Sequence, residues 1–172
     1  MSLIAKDFLI RRFKRSNYEE CLDAFIRFQK DAEVKIMSID FKFSKSLGSK
    51  KDMLKKQFDY FALDKKNENY IAIDKNTNKI VCFYCFQHNK NRAIFKLNFK
   101  NPDFLFSPKI IEITKKVIKE FCKKNNISEL YSELHQRNNY SRYVKFVQKH
   151  FAASIITENK DFTLVKHDLS VM

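Results

Sequence analysis

The chain has 172 residues, 44% of them hydrophobic, including 18 Phe and 7 Tyr, and carries a formal net charge of +14. That length and apolar content predict one domain, spanning residues 1–172, with a buried core, and the lack of any run of about 18 apolar residues excludes a helical membrane span. The charge attracts anions at long range, yet the lysines are spread along the whole chain, so it favours an anionic ligand without naming one.

The opening MSLIAKDFLIRRFKR has no long apolar run and no small-residue cleavage site, which predicts a cytoplasmic protein whose Cys21, Cys82, Cys85 and Cys122 remain thiols. DFLIRRF alternates apolar and polar residues as a strand does. SNYEECLDAFIRFQK then sets Tyr18, Cys21, Leu22, Phe25 and Ile26 on one helical face, with Ser16 and Glu19 at capping-box spacing. FSKSLGSKK, which holds the only glycine, Gly48, is expected as a loop, and Ser49 as the cap of a second helix whose inner side carries Met53, Leu54, Phe58, Phe61 and Ala62.

NYIAID and KIVCFYCFQ flank the turn KNTN as a hairpin, and RAIFKLNF extends it to a three-stranded meander. Within it, Cys82 and Cys85 lie three residues apart on a strand and face opposite ways, so they predict two buried hydrophobes and not a metal pair. His88, His135, His150 and His167 show no ligand spacing, and no metal is expected. Ser107 with Pro108 at the first helical position starts PKIIEITKKVIKEFCKKNN. There follow the strand ISELYSEL, the amphipathic helix in NNYSRYVKFVQKHF, and the strands ASIIT and FTLVKH around ENKD. FTLVKH is expected at a sheet edge, where it either pairs with a second copy in a homodimer or is covered. The order is β-α-α-β-β-β-α-β-α-β-β. Its strand, long helix and strand over residues 92–134 suit a right-handed crossover, which predicts a mixed sheet covered by helices.

This order resembles the GNAT superfamily of N-acetyltransferases over about residues 7 to 168. The resemblance implies an α/β (α+β) fold, with a mixed, mostly antiparallel sheet of about seven strands flanked by about four helices. It also implies acyl-CoA-dependent N-acyl transfer from acetyl-CoA or another acyl-CoA to an amine-bearing acceptor, either a small molecule or a protein. In that family the central strand binds the pantetheine arm through exposed backbone, which assigns Leu97, Asn98 and Phe99 here. The loop after it meets the pyrophosphate at a helix start, where amide groups and the helix dipole favour an anion. In FKNPDFLFSPKI the hydroxyl of Ser107 and the charges of Lys109 and Lys100 are available for this. The loop has no glycine, and Phe104, Leu105 and Phe106 are expected to crowd the approach.

If His150-Phe151 stands for the family's Gly-Phe, Asn139 falls on the motif asparagine that contacts the cofactor, and Phe146 on the tyrosine that protonates the departing thiolate. Counted from Leu134, those positions are Asn138 and Lys145. Phe has no proton to give, so Tyr143, one turn before Phe146 on the same face, is the candidate acid. RAIFKLNF carries no acidic side chain, which leaves Glu133 on the next strand as candidate base and His135 as the histidine beside it. A second reading keeps only the scaffold: a catalytically inactive GNAT-like module that binds nucleic acid or an acidic protein through FIRFQK and FKFSKS. A cleft open at the central strand, or one plugged by Phe104 or Phe106, separates the two.

Overall fold

A computed structural model describes residues 7–32 and 50–172. Residues 43–49 of the expected loop FSKSLGSKK, with Gly48 and the Ser49 cap, and the run FKFSKS lie outside the described residues, while the last two residues of that loop, Lys50 and Lys51, open the second helix. The chain forms β1 (Phe8–Arg12), α1 (Tyr18–Ala32), α2 (Lys50–Leu63), β2 (Asn67–Asp74), β3 (Ile80–Asn89), β4 (Arg92–Lys100), α3 (Pro108–Asn125), β5 (Glu129–His135), α4 (Tyr140–His150), β6 (Ala153–Glu158) and β7 (Phe162–His167). The seven strands make one sheet in the order β1-β2-β3-β4-β5-β7-β6. Only β4 and β5 run parallel, joined by α3, and every other neighbouring pair is antiparallel. The expected mixed, mostly antiparallel sheet with four helices among the described residues is therefore present.

Two expectations change. FTLVKH is not an edge: β7 lies between β5 and β6, because a tight antiparallel hairpin returns it to β5 and leaves β6 outermost. At the first helix, the Ser16–Glu19 capping box gives way to a 3-10 turn over Arg15–Asn17, in which the Lys14 amide donates to Asn17 Oδ1 at 3.1 Å.

Both faces of the sheet are covered, and each has its own core. On one face, Phe86 stacks between Phe95 and Phe121, with centroids 4.5 and 4.2 Å away, beneath α3 and α4. On the other, Phe58, Phe83 and Phe99 pack with Phe25 under α1 and α2. Each buried phenylalanine contributes roughly 1.5–3 kcal/mol. Cys82 belongs to the first core and Cys85 to the second, as their spacing on a strand requires. No helix among the described residues is long and apolar enough to cross a membrane.

With glycine so scarce, left-handed backbone falls to Asn78, Lys90, Asn126, Asn139 and Ala152. Asparagine tolerates this region, but the Cβ of alanine does not. Ala152 has φ 46. Replacing Ala152 with glycine is expected to relieve about 1–2 kcal/mol of strain against about 0.4–1 kcal/mol of added unfolded-state entropy. Calorimetry should then show a melting temperature roughly 1–4 °C higher; an unchanged or lower one would mean that the position is unstrained.

Candidate active site

The site begins with one extra residue. Along the β3–β4 ladder Cys85 pairs with Leu97, but Phe86 pairs with Phe95, so Lys96 is an inserted residue. The insertion exchanges the faces of β4. Ala93 and Phe95 belong to the core under α3 and α4, whereas Leu97 and Phe99, still at odd positions, belong to the core under α1 and α2. Lys96 itself donates to the Tyr60 hydroxyl at 2.9 Å and to Gln87 Oε1 at 3.0 Å, anchored on α2 and β3.

Just before the bulge, the parallel ladder ends. Arg92 to Phe95 pair with Glu129 to Ser132, and there the register stops. Beyond this rung β4 keeps its partner β3 as far as Lys100, and β5 keeps β7 as far as His135. The two central strands have therefore separated from one another while staying held on their outer sides. Backbone groups on a strand alternate between its two edges, so residues 97–100 turn part of their amides and carbonyls toward β5 where no strand receives them.

The gap is a cavity of about 350 Å³. Its walls include Leu97, Asn98 and Phe99 on β4, Glu133 and His135 on β5, and Tyr143 and Phe146 on α4. Phe104 does not plug it: this side chain is 1% exposed, packed in the core with α3. Leu105 and Phe106 point outward, 49% and 57% exposed, and Phe106 meets the cavity only at its rim, edge-on to Phe146 at 5.6 Å. None of the loop residues 101–107 has positive φ, so this course of the loop needs no glycine.

Three polar arrangements face the cavity. Burial raises the Glu133 carboxyl above its ordinary range, opposed by the charge of Lys96. His135 lies 3.7 Å from Glu133 Oε2, too far for a hydrogen bond, and both of its ring nitrogens are buried without a protein partner. Burial, then the charge of Arg137, push its pKa down to about 4, so the ring is neutral at neutral pH. At the apex, Ser132 Oγ and His167 Nε2 are 2.7 Å apart and His167 Nδ1 is 2.8 Å from the Phe151 carbonyl. A carbonyl only accepts, so Nδ1–H donates to it and the serine hydroxyl donates to Nε2. This chain ties β5 to β7 and to the end of α4.

By sequence, no protein-family model and no curated protein matches the chain. By structure, it is similar over nearly its whole length to solved acetyltransferases. A GNAT-family acetyltransferase from Staphylococcus aureus Mu50 is 16% identical, with 95% of this chain and 99% of that one covered, at a TM-score of 0.63. The PaiA N-acetyltransferase of Thermoplasma acidophilum, solved with coenzyme A, is 17% identical over 95% and 100% of the two chains at 0.65. A dodecameric spermidine N-acetyltransferase from Vibrio cholerae is 11% identical over 95% and 94% at 0.64. The fold is that of the GNAT N-acetyltransferases.

On this GNAT fold, the residues picked from sequence divide into two groups. Leu97, Asn98, Phe99, Glu133 and Tyr143 all line the cavity. Ser107, Lys109, Asn138 and Asn139 do not. Asn139 caps α4 in left-handed backbone, its carbonyl accepting from the Tyr143 amide at 3.0 Å, and both asparagines are exposed. Ser107 caps α3, yet its buried hydroxyl has no partner. Lys109 pairs with Glu112 at 3.0 Å on the helix surface. Lys100 is turned inward, bonded to the carbonyls of Asn101 and Phe104, so its charge fastens the loop from within. Two cavity residues carry no sequence signal of their own, Phe28 on α1 and Arg137 between β5 and α4. Arg137 does follow His135 by two positions, the spacing that repeats a face along a strand.

Proposed function

We propose that the chain is an acyl-CoA-dependent N-acyltransferase that moves an acyl group, most simply acetyl, to an amine. The single observation that carries this is the open separation of β4 from β5 beyond Phe95 and Ser132. It is a slot lined by unpaired strand backbone and wide enough for an extended arm. The fit continues at α3, where the orphaned Ser107 hydroxyl and the Lys109 amide, Pro108 having none and the Ile110 amide donating to the Ser107 carbonyl at 3.0 Å, suit a phosphate. The backbone of Leu97, Asn98 and Phe99 would hold the arm, and Ser107 and Lys109 the anionic end. An acyl-CoA bound there supplies the activated acyl carbon.

The protein's own groups do the rest. Glu133, whose raised pKa brings it nearer to working pH, takes a proton from the incoming ammonium, and neutral His135 beside it, its ring nitrogens without a protein partner, offers the amine a further hydrogen-bonding group. Tyr143 offers its hydroxyl proton to the leaving group from the α4 side. Phe99, Phe106 and Phe146 keep water from the slot. Holding acceptor and acyl donor together supplies most of the acceleration, which is how sparse acid–base machinery suffices.

The module that only binds nucleic acid has little support from FIRFQK. Phe25 is fully buried, Phe28 stacks on Phe99 at 5.8 Å, and Arg27 is held by Asp103 at 2.6 Å. Titration calorimetry with acetyl-CoA is expected to give a one-site isotherm, and free thiol should be released only when an amine is added. No heat and no thermal shift at millimolar acetyl-CoA would remove the transferase assignment.

A further inference from the structure

An arginine stands at the mouth of the cavity. Arg137 stands two residues beyond β5, with its guanidinium carbon 3.6 Å from the centre of the Tyr143 ring and 6.0 Å from that of Phe28. Rings from α4 and α1 thus hold the cation from either side of the cleft. Among the described residues it makes no ion pair and no hydrogen bond, although the chain's other cavity-lining cations, Lys96 and Lys100, are both bonded. Its Nε is buried without a partner, while its terminal nitrogens remain accessible.

A guanidinium stacked on an aromatic face keeps its N–H edge free, and that edge is a planar fork that matches a carboxylate with two parallel hydrogen bonds. Stacking fixes the plane in advance, so little freedom is lost when the anion arrives. Position points the same way. Arg137 lies against Phe28 of α1, on the side of the sheet where Glu133 and His135 stand ready for an amine, whereas the suggested phosphate site lies at the start of α3. A cation here would repel a polyamine and attract an acid.

We propose that Arg137 anchors a carboxylate of the acceptor, so that the amines this protein takes are those of amino acids or carboxylate-bearing analogues. The proposal rests on the transferase reading for the acylation itself but not for the binding of the acid.

Saturation-transfer NMR separates the two. Each ω-amino acid from glycine to 6-aminohexanoate is compared with the n-alkylamine of matching length, on the full chain with and without acetyl-CoA. At least one acid is expected to bind about 10–100-fold more tightly than its amine, the range for a charge-assisted pair. Arg137→Gln should collapse that ratio toward one, and Arg137→Lys, with the charge but not the fork, should recover part of it. Equal binding of acids and amines by the parent chain overturns the proposal. So does an Arg137→Gln variant that keeps the ratio while its apparent Kd for acetyl-CoA rises, because the guanidinium then serves a cofactor phosphate. Acids that bind through Arg137 on a chain that fails to bind acetyl-CoA support the carboxylate site and remove only the transferase.

Discussion

Replacing Glu133 with glutamine is expected to lower kcat by about 10²–10⁴-fold, the range for loss of a positioned general base, while the protein becomes no less stable. The two effects have one cause. Burial lifts the Glu133 pKa above its unfolded value, so between those two values the folded state binds more protons than the unfolded state and stability falls as pH rises. Above both values the full cost of the charged carboxylate is present, and the neutral isostere removes it. Glu133→Gln should therefore melt at or above the parent temperature at pH 7, with the difference vanishing below the ordinary carboxylate range. The acidic limb of the kcat/KM profile, set by ionisation of Glu133 and so displaced upward, should disappear with it. If the limb survives and moves only in His135→Gln, the base is the imidazole. If activity is retained in both variants, neither side chain takes the proton.

What could be read from the sequence follows from where each signal resides. The helices and strands are legible because each carries its own period: Ile110, Val117, Ile118, Phe121 and Cys122 recur on one face of α3, and their burial follows. Leu97, Asn98 and Phe99 could be assigned because the order of elements carries the family resemblance, and the resemblance gives the cofactor arm to the central strand; all three line the cavity. The bulge could not. β4 shows uninterrupted alternation of buried and less buried residues, and because apolar cores lie on both faces, Leu97 and Phe99 satisfy the pattern on either side. Loss of glycine in the loop after β4 misled for a related reason. Crowding by Phe104 presumes that the side chain faces the ligand, but it is drawn into the core, and only the tertiary packing shows that direction. Arg137 is silent in sequence because a lone arginine past a strand is ordinary. It becomes a feature when Phe28, 109 positions away, is found beside it.

Deleting Lys96 is expected to abolish acetyl-CoA binding while leaving the fold intact. Removal of the inserted residue would give a continuous register from Arg92 to Lys100 in which Phe95 still pairs with Phe86 and Leu97 with Cys85, so no residue past the deletion changes faces. Leu97 and Phe99 would stay in the core under α1 and α2, where Phe99 stacks on Phe83 at 5.3 Å. What is lost is the bend and the added twist of a bulged strand, at the point where β4 parts from β5. A straight β4 would continue its parallel ladder with β5 past Phe95 and Ser132, and strand pairing would take up the backbone groups that now face the cavity. The deletion variant should thus keep the parent's near-ultraviolet circular dichroism and fail to bind acetyl-CoA, whereas Lys96→Ala, which keeps the extra backbone unit and loses only the bonds to Tyr60 and Gln87, should fold and retain acetyl-CoA binding. That contrast separates backbone from side chain. A deletion variant with the parent's acetyl-CoA affinity would mean that the bulge does not hold the two central strands apart.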